Sequence, residues 1–450
     1  MEQRNELEGI IGWRKTISFA LPSILMMLFI SSYSLVDGAF VSNLIGTDAL
    51  ASLNILMPLA SVMTGIGFMF ATGGSAYVAN LLGKGEVARA RGSLTTIVFF
   101  AVFIGILLTL FGMVFIEPLV ELLGADEVLF DGSVEYGRAF LLFTVPSILQ
   151  FIFTQMLIVA GRPGLSLFIS VAGGLTNIVL DYVFIGLLDL GLTGAAVASG
   201  MGSMIPCLVG LYMFCRKDMI LHFVQPIRES KVVISTCTNG VSEMASELSG
   251  GITTLLYNLI MMKYVGPDGV SAITVMMYVQ FFAIAAIIGY SNGVAPVMSY
   301  NHGKGDGTRM NSLYRISAVF VIIVSIAIFL IMEVFRGYIV GFFVEDSENV
   351  MSLAMDGAKI FSFAFLMMGF NVYASSLFTS LSNGPVSALI SVVRSILLLA
   401  PLIVLLPMMF GIDAIWYAVP LTEFVTVLLS VFLILRLGKG YGFLKSNAVM

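Results

Sequence analysis

Six ionisable side chains fall inside stretches of this sequence that are otherwise apolar: Asp37, Asp181, Glu243, Glu247, Arg394 and Glu423. A charge in hydrocarbon is costly, so such residues face one another, water or an ion rather than lipid. Asn177 and Asp181 are four residues apart and share one helix face. A rise of ~1.5 Å per residue puts Asp181 about 25 Å above one membrane surface and Ser199 about 9 Å below the other, which is one depth in a ~30 Å core. Asp37, near the outer end of the first span, falls in the same third. Carboxylate, carboxamide and hydroxyl oxygens at one depth are hard ligands suited to a small cation. A desolvated carboxylate pair also holds a proton readily, so the same group has two uses. A blander reading leaves Asp37 as a helix-end cap near the headgroups.

Glu243 and Glu247 are also four apart, so two acids on one face repel and need water or a cation beside them. Binding a cationic substrate, holding a second proton, or hydrogen bonding to nearby Ser and Tyr hydroxyls each satisfies them. Arg394 and Glu423 fall at similar depths on adjacent spans; the first expectation is an ion pair holding the two helices together, and the alternative is a role for Glu423 in the cavity. Met57, Tyr257, Met276, Phe281 and Phe282 are the expected apolar lining of a central cavity, since Met and aromatic side chains make adaptable surfaces.

The elements that must position these residues are spanning helices. The chain of 450 residues is 58% hydrophobic and only 11% charged, too few charges to cover a water-facing surface. Charge-free runs such as 17–36, 94–116 and 317–332 have the length of membrane spans. Twelve helices are expected, near 16–38, 50–80, 93–116, 136–160, 164–188 and 193–215, then 232–263, 271–300, 312–334, 355–381, 386–409 and 413–436. The first run has no small-x-small cleavage pattern after it and reads as a retained helix. Seventeen of the 22 Lys and Arg fall on one side of these helices, which puts both termini in the cytoplasm of a multi-pass inner-membrane protein. Cys207, Cys215 and Cys237 follow no metal or disulfide spacing, and His222 and His302 fall in loops, so no metal site and no cofactor are expected.

The chain repeats itself. Leu82-Gly83-Lys84-Gly85 returns as His302-Gly303-Lys304-Gly305, and Gly46-Thr47-Asp48 as Gly266-Pro267-Asp268, both at an offset of 220. Six helices separate the copies, so the halves run parallel about an axis along the membrane normal. The expected division is a six-helix lobe over 1–215, a linker over 216–231 and a second lobe over 232–450 around a central cavity. The second half carries Asn258 and Ala400-Pro401 near the positions of Asp37 and Asp181, so the halves are not chemically equivalent.

In this order along the helices, several segments resemble the multidrug and toxic compound extrusion (MATE) family over nearly the whole chain. They are Asp37-Gly38, the two Gly-Lys-Gly loops, Ala160-Gly161-Arg162-Pro163, Asn177-Ile178-Val179-Leu180-Asp181 and Gly194-Ala195-Ala196-Val197-Ala198-Ser199. Gly240-Val241-Ser242-Glu243 departs from the Gly-x-Pro common in the family, and Ser199 stands where many relatives carry Thr. The resemblance implies alternating-access export of small organic compounds, cationic and amphipathic, driven by H⁺ or Na⁺ at Asp37, Asn177, Asp181 and Ser199, with the Ala195 carbonyl as a further ligand. It also implies a monomer in the lipid bilayer with no nucleic-acid partner and no enzymatic activity.

Three rival readings fit less well. A major facilitator would carry Asp-Arg-x-Gly-Arg where this chain has Gly83-Lys84-Gly85-Glu86-Val87-Ala88-Arg89. A lipid-linked precursor flippase needs a cationic cavity, and Arg394 is the one basic residue expected within the spans. An intramembrane aspartyl protease is matched only by Gly303-Lys304-Gly305-Asp306, in a basic loop whose twin lacks the acid.

Overall fold

A segment without water must satisfy its backbone amides internally, so the apolar runs become helices, and glycine and proline set their limits. The computed structural model describes residues 6–10, 12–45, 47–344 and 347–444; the side chains of 34–44, 47, 48 and 50 lie outside the description. The first six long helices are α1 (Trp13–Leu44), α2 (Met57–Gly83), α3 (Val87–Leu122), α4 (Phe130–Leu141 and Thr144–Val159), α5 (Pro163–Leu187) and α6 (Gly191–Cys215). The second six are α7 (Ser230–Tyr264), α8 (Pro267–Lys304), α9 (Gly307–Phe343), α10 (Glu348–Ser380), α11 (Gly384–Phe410) and α12 (Ile412–Leu437). Among the described residues there is no strand.

Ten of these helices are long and apolar enough to cross a membrane, and α4 is an eleventh, bent by 51° between its two parts. Its bend falls four residues before Pro146, whose ring crowds the carbonyl of Leu142. The twelfth, α7, has 35 residues, about 50 Å at ~1.5 Å per residue, but carries Glu243, Glu247 and many Ser, Thr and Gly.

Some limits differ from the sequence expectation. The helix expected over 50–80 starts at Met57, because the chain breaks at Leu56 and a separate short helix, Thr47–Ile55, precedes it. Pro58, at the new N-terminus, loses nothing there, since a first-turn amide has no partner in any helix. α3 and α9 extend well beyond the expected 93–116 and 312–334. Both are kinked at equivalent places, Phe115 (φ −109°, ψ 15°) and Phe335 (φ −107°, ψ 15°), 220 residues apart. Pro118 follows the first kink and no proline follows the second. The deformation therefore belongs to the repeated frame and not to proline alone.

The segments that leave the sixth and twelfth helices are also alike. After α6 the chain folds back across α3, where Arg91 Nε donates to the Ile220 carbonyl at 2.8 Å and Leu221 is fully buried. After α12 it folds back across α9, where Asn311, 220 residues from Arg91, donates to the Phe443 carbonyl and Phe443 is fully buried.

The halves meet along α1–α8, α2–α7 and α2–α8. Near the Gly-Lys-Gly loops one hydrophobic core is common to both, joining Phe70, Val78 and Leu82 to Tyr290, Val297 and Tyr300. Toward the opposite end the core divides. Leu56, Met63, Ile116 and Ala195 form one cluster; Tyr257, Met276, Phe361 and Trp416 form another. The common core depends on bare backbone. A Cβ on Gly83 would collide with the Tyr300 carbonyl oxygen, and one on Gly303 with the Asn80 carbonyl oxygen. These residues are a symmetric pair, so the two helices cross where neither has a side chain. The molecule is closed at the Gly-Lys-Gly end.

Candidate functional site

The first polar cluster sits between α5 and α6. A Cβ on Gly173 would stand 2.7 Å from the Gly202 carbonyl oxygen, and one on Gly202 would stand 2.9 Å from the Gly173 carbonyl oxygen. Glycine at both places lets the helices approach closely enough for short side chains to span the gap. Asn177 Nδ2 donates to Asp181 Oδ2 at 3.1 Å and to Ser199 Oγ at 3.3 Å. Asp181 is fully buried, Asn177 nearly so, and Asn177 Oδ1 is buried without a hydrogen-bond partner among the described residues. Ala195, 2% exposed, lies one turn from Ser199 on α6. Immediately after Asp181 the helix widens into a π-helical turn, Tyr182–Leu187, a feature frequent at functional sites. α1 packs on α5, with Phe29 and Tyr33 against Gly174. Asp37 is one turn beyond Tyr33 on α1, but its side chain lies outside the described residues.

The second cluster lies in the other half, on α7, α10, α11 and α12. Arg394 pairs with Glu423 at 2.7 Å, giving both Nε and Nη2 to one oxygen, Oε1. Asn371 Nδ2 holds the other oxygen at 2.7 Å and also donates to the Glu423 carbonyl at 3.0 Å, while Ser430 Oγ donates to Asn371 Oδ1 at 3.1 Å. Arg394 is carried by a second π-helical turn, Val393–Leu399. Glu243 and Glu247 on α7 are half-buried, and the ion pairs of the described residues involve neither. Glu247 faces the seam between the halves, since a Cβ on Gly65 of α2 would lie 3.5 Å from its Cβ. The π-helical turn that carries Arg394 packs against α7, the helix of Glu243 and Glu247. A run of buried hydroxyls ties the three helices behind them: Ser242–Thr379 at 3.4 Å, Thr379–Ser387 at 2.9 Å, Ser375–Ser387 at 2.8 Å and Ser375–Ser391 at 3.1 Å.

Among the expected cavity residues, Met57, Phe281 and Phe282 are 50%, 44% and 44% exposed. Tyr257 and Met276 require a correction. They are 3% and 0% exposed and pack inside the separate core of the second half, so neither lines an open cavity in this conformation. Both lie on helix faces that point into their own bundle, which apolar character alone does not distinguish from a cavity-facing one. A cleft of about 1070 Å³ lies elsewhere, at the Gly-Lys-Gly end beside Arg14, Lys15, Phe19 and Arg309.

Asn371 and Ser430 went unnoticed at the level of sequence. The repeat held the signal: Gln150 and Asn371 are 221 residues apart, Ser203 and Glu423 are 220 apart, and Gln150 Nε2 donates to Ser203 Oγ at 3.1 Å. The same helix-to-helix amide bond is made in both halves, and the second half has an acid as its acceptor.

Twelve helices in two like-oriented halves, with separate charged clusters inside each, define a two-repeat membrane transporter. The MatE family profile matches residues 22–183 and again 249–405, once in each half. Together these stretches cover well over half of the chain, and the chain belongs to that family. It is similar to the multidrug export protein MepA of Staphylococcus saprophyticus, 22% identical over 438 residues that span 96% of each chain. Its fold is that of a multidrug resistance MATE family transporter solved in an outward-facing conformation, with TM-score 0.90 and 18% identity over 98% of this chain and 99% of the other. A MOP superfamily transporter from Pyrococcus furiosus is equally similar, with TM-score 0.90 and 19% identity over 99% and 100% of the two chains.

Proposed function

We propose that this protein exports organic cations across the cell membrane by alternating access, in exchange for H⁺ or Na⁺. The observation that carries the reading is the pair Glu243 and Glu247: two acids four residues apart, outside every described ion pair, with Glu247 facing the seam between the halves. A lipophilic cation entering there meets two acidic side chains backed by hydroxyl groups, with Met57, Phe281 and Phe282 available for contact. The name of the similar MepA proteins, multidrug export, agrees with a broad choice of solutes.

The coupling ion is assigned to Asp37, Asn177, Asp181, Ser199 and the Ala195 carbonyl. An ion drives transport only if it binds the two conformations with different affinity. Closely packed α5 and α6, with a π-helical turn beside Asp181, supply an element whose packing an ion can alter. With the Lys- and Arg-rich loops and both termini inside, the form closed at the Gly-Lys-Gly end is closed toward the cytoplasm. The working lobes are 1–215 and 232–450, joined by 216–231, in a monomer. The test is uptake of a fluorescent lipophilic cation into inside-out vesicles. The wild type should accumulate it when an ion gradient is imposed. Glu243→Gln/Glu247→Gln should lose accumulation of the cation while keeping that of an uncharged solute. Equal transport of the cation by the double variant would refute the assignment.

A further inference from the structure

Arg394 occupies an odd place. Its partner Glu423 is 2% exposed and takes a second strong bond from Asn371, so it is fixed. The guanidinium uses only one edge on Glu423, and 23% of the Arg394 side chain remains accessible. The π-helical turn that carries Arg394 packs against α12, which holds Glu423, and also against α7, which holds Glu243. A positive charge is thus anchored by one acid on a turn packed against α7, whose two acids enter no ion pair among the described residues. A purely structural tie between α11 and α12 does not need a charge that stays partly accessible on a turn packed against α7. The Gln150–Ser203 bond makes the equivalent helix contact in the first half without charge.

We propose that Arg394 is a specificity-determining residue, a resident counter-ion of the α7 acids that competes electrostatically with the cationic part of a bound solute. The inference rests on the reading of Glu243 and Glu247 as the solute site. With the site empty, the guanidinium partly neutralises Glu243. A bound cation takes over that neutralisation and is repelled by Arg394, so binding is weaker than two bare acids would give, and release is easier. An uncharged solute gains nothing from the acids and loses nothing to the arginine. Glu423 and Asn371 act as positioning residues that keep the arginine from collapsing onto Glu243.

The test measures equilibrium binding to the purified full chain in nanodiscs, with tetraphenylphosphonium as the cation and triphenylphosphine oxide as the uncharged probe. Arg394→Gln should tighten tetraphenylphosphonium binding about tenfold, the scale of one charge ~12 Å away at an effective dielectric constant of ~20. It should leave the oxide unchanged, and Arg394→Lys should stay near the wild type for both. Should Arg394→Gln fail to fold, Arg394→Gln/Glu423→Gln leaves no buried charge unpaired and should tighten the cation in the same direction. The proposal is overturned if these variants leave the cation affinity unchanged or shift both probes alike, as lost packing would. Glu243→Gln/Glu247→Gln separates the two readings. If that variant binds tetraphenylphosphonium as tightly as the wild type, the site itself is misassigned. If it binds weakly while Arg394→Gln has no effect, only the counter-ion role fails.

Discussion

Gly83 is the residue at which closure of the Gly-Lys-Gly end is most directly open to perturbation. An alanine there would drive its Cβ into the Tyr300 carbonyl oxygen, with the Tyr300 carbonyl carbon at 2.9 Å and Lys304 N at 3.0 Å. All three are backbone atoms of α8, so no side chain can swing aside. Relief requires α2 and α8 to separate by ~1 Å, and overpacking of this kind costs about 1–3 kcal/mol. The penalty falls on the closed form alone, because the contact is lost when the halves part. The ratio of closed to open molecules should therefore fall by about 5- to 150-fold. The assay is the distance between spin labels on Arg228 and Lys439, both exposed, one after α6 and one after α12, in a background lacking Cys207, Cys215 and Cys237. Gly83→Ala should lengthen the distribution. Gly164→Ala, where a Cβ meets nothing within 4 Å, should not. Identical distributions for wild type and Gly83→Ala would refute the reasoning that bare backbone crossing keeps this end closed.

Asn177→Leu removes the donor to Asp181 and Ser199, a loss of about 1–3 kcal/mol at a buried acid. It should raise the half-maximal concentration of the driving ion about tenfold or more in transport assays. Gly202→Leu should have a similar effect by another route, since a side chain there pushes against Asn177 and the Gly173 carbonyl; ion dependence should weaken while Ser199 itself is untouched. Phe443→Ala empties a fully buried position between Tyr314 and Tyr441, and should destabilise the second half by about 3 kcal/mol. Thermal unfolding in detergent checks it, with the affinity of any bound solute little changed at low temperature.

The frame was legible because its signals are redundant. Apolar runs, basic loops and a 220-residue register all pointed to twelve helices in parallel halves, and no single residue had to be read correctly. The helix limits were less legible. Leu56 ends a short helix only because the backbone turns there, and nothing in Asn54-Ile55-Leu56-Met57 announces it ahead of Pro58. The Asn177–Asp181–Ser199 cluster was accessible to counting, since rise per residue fixes depth. Its closeness depends on Gly173 and Gly202, which hydropathy ignores. Arg394 and Glu423 were recognisable as charges needing partners, whereas Asn371 was hidden among many neutral polar residues and became visible only through its twin, Gln150. Tyr257 and Met276 illustrate the opposite failure. A Met or Tyr on a spanning helix looks the same in sequence whether it faces a cavity or its own bundle.

The central claim is that an ion taken up at Asp181 drives export of solutes bound in the other half. It is tested most directly by gradient-driven efflux of a lipophilic cation from proteoliposomes, with proton and sodium gradients imposed separately on wild type and Asp181→Asn. The wild type should respond to at least one gradient. Asp181→Asn should still bind the cation with near-native affinity but show no response to that gradient. Full gradient-driven efflux by Asp181→Asn would contradict the account.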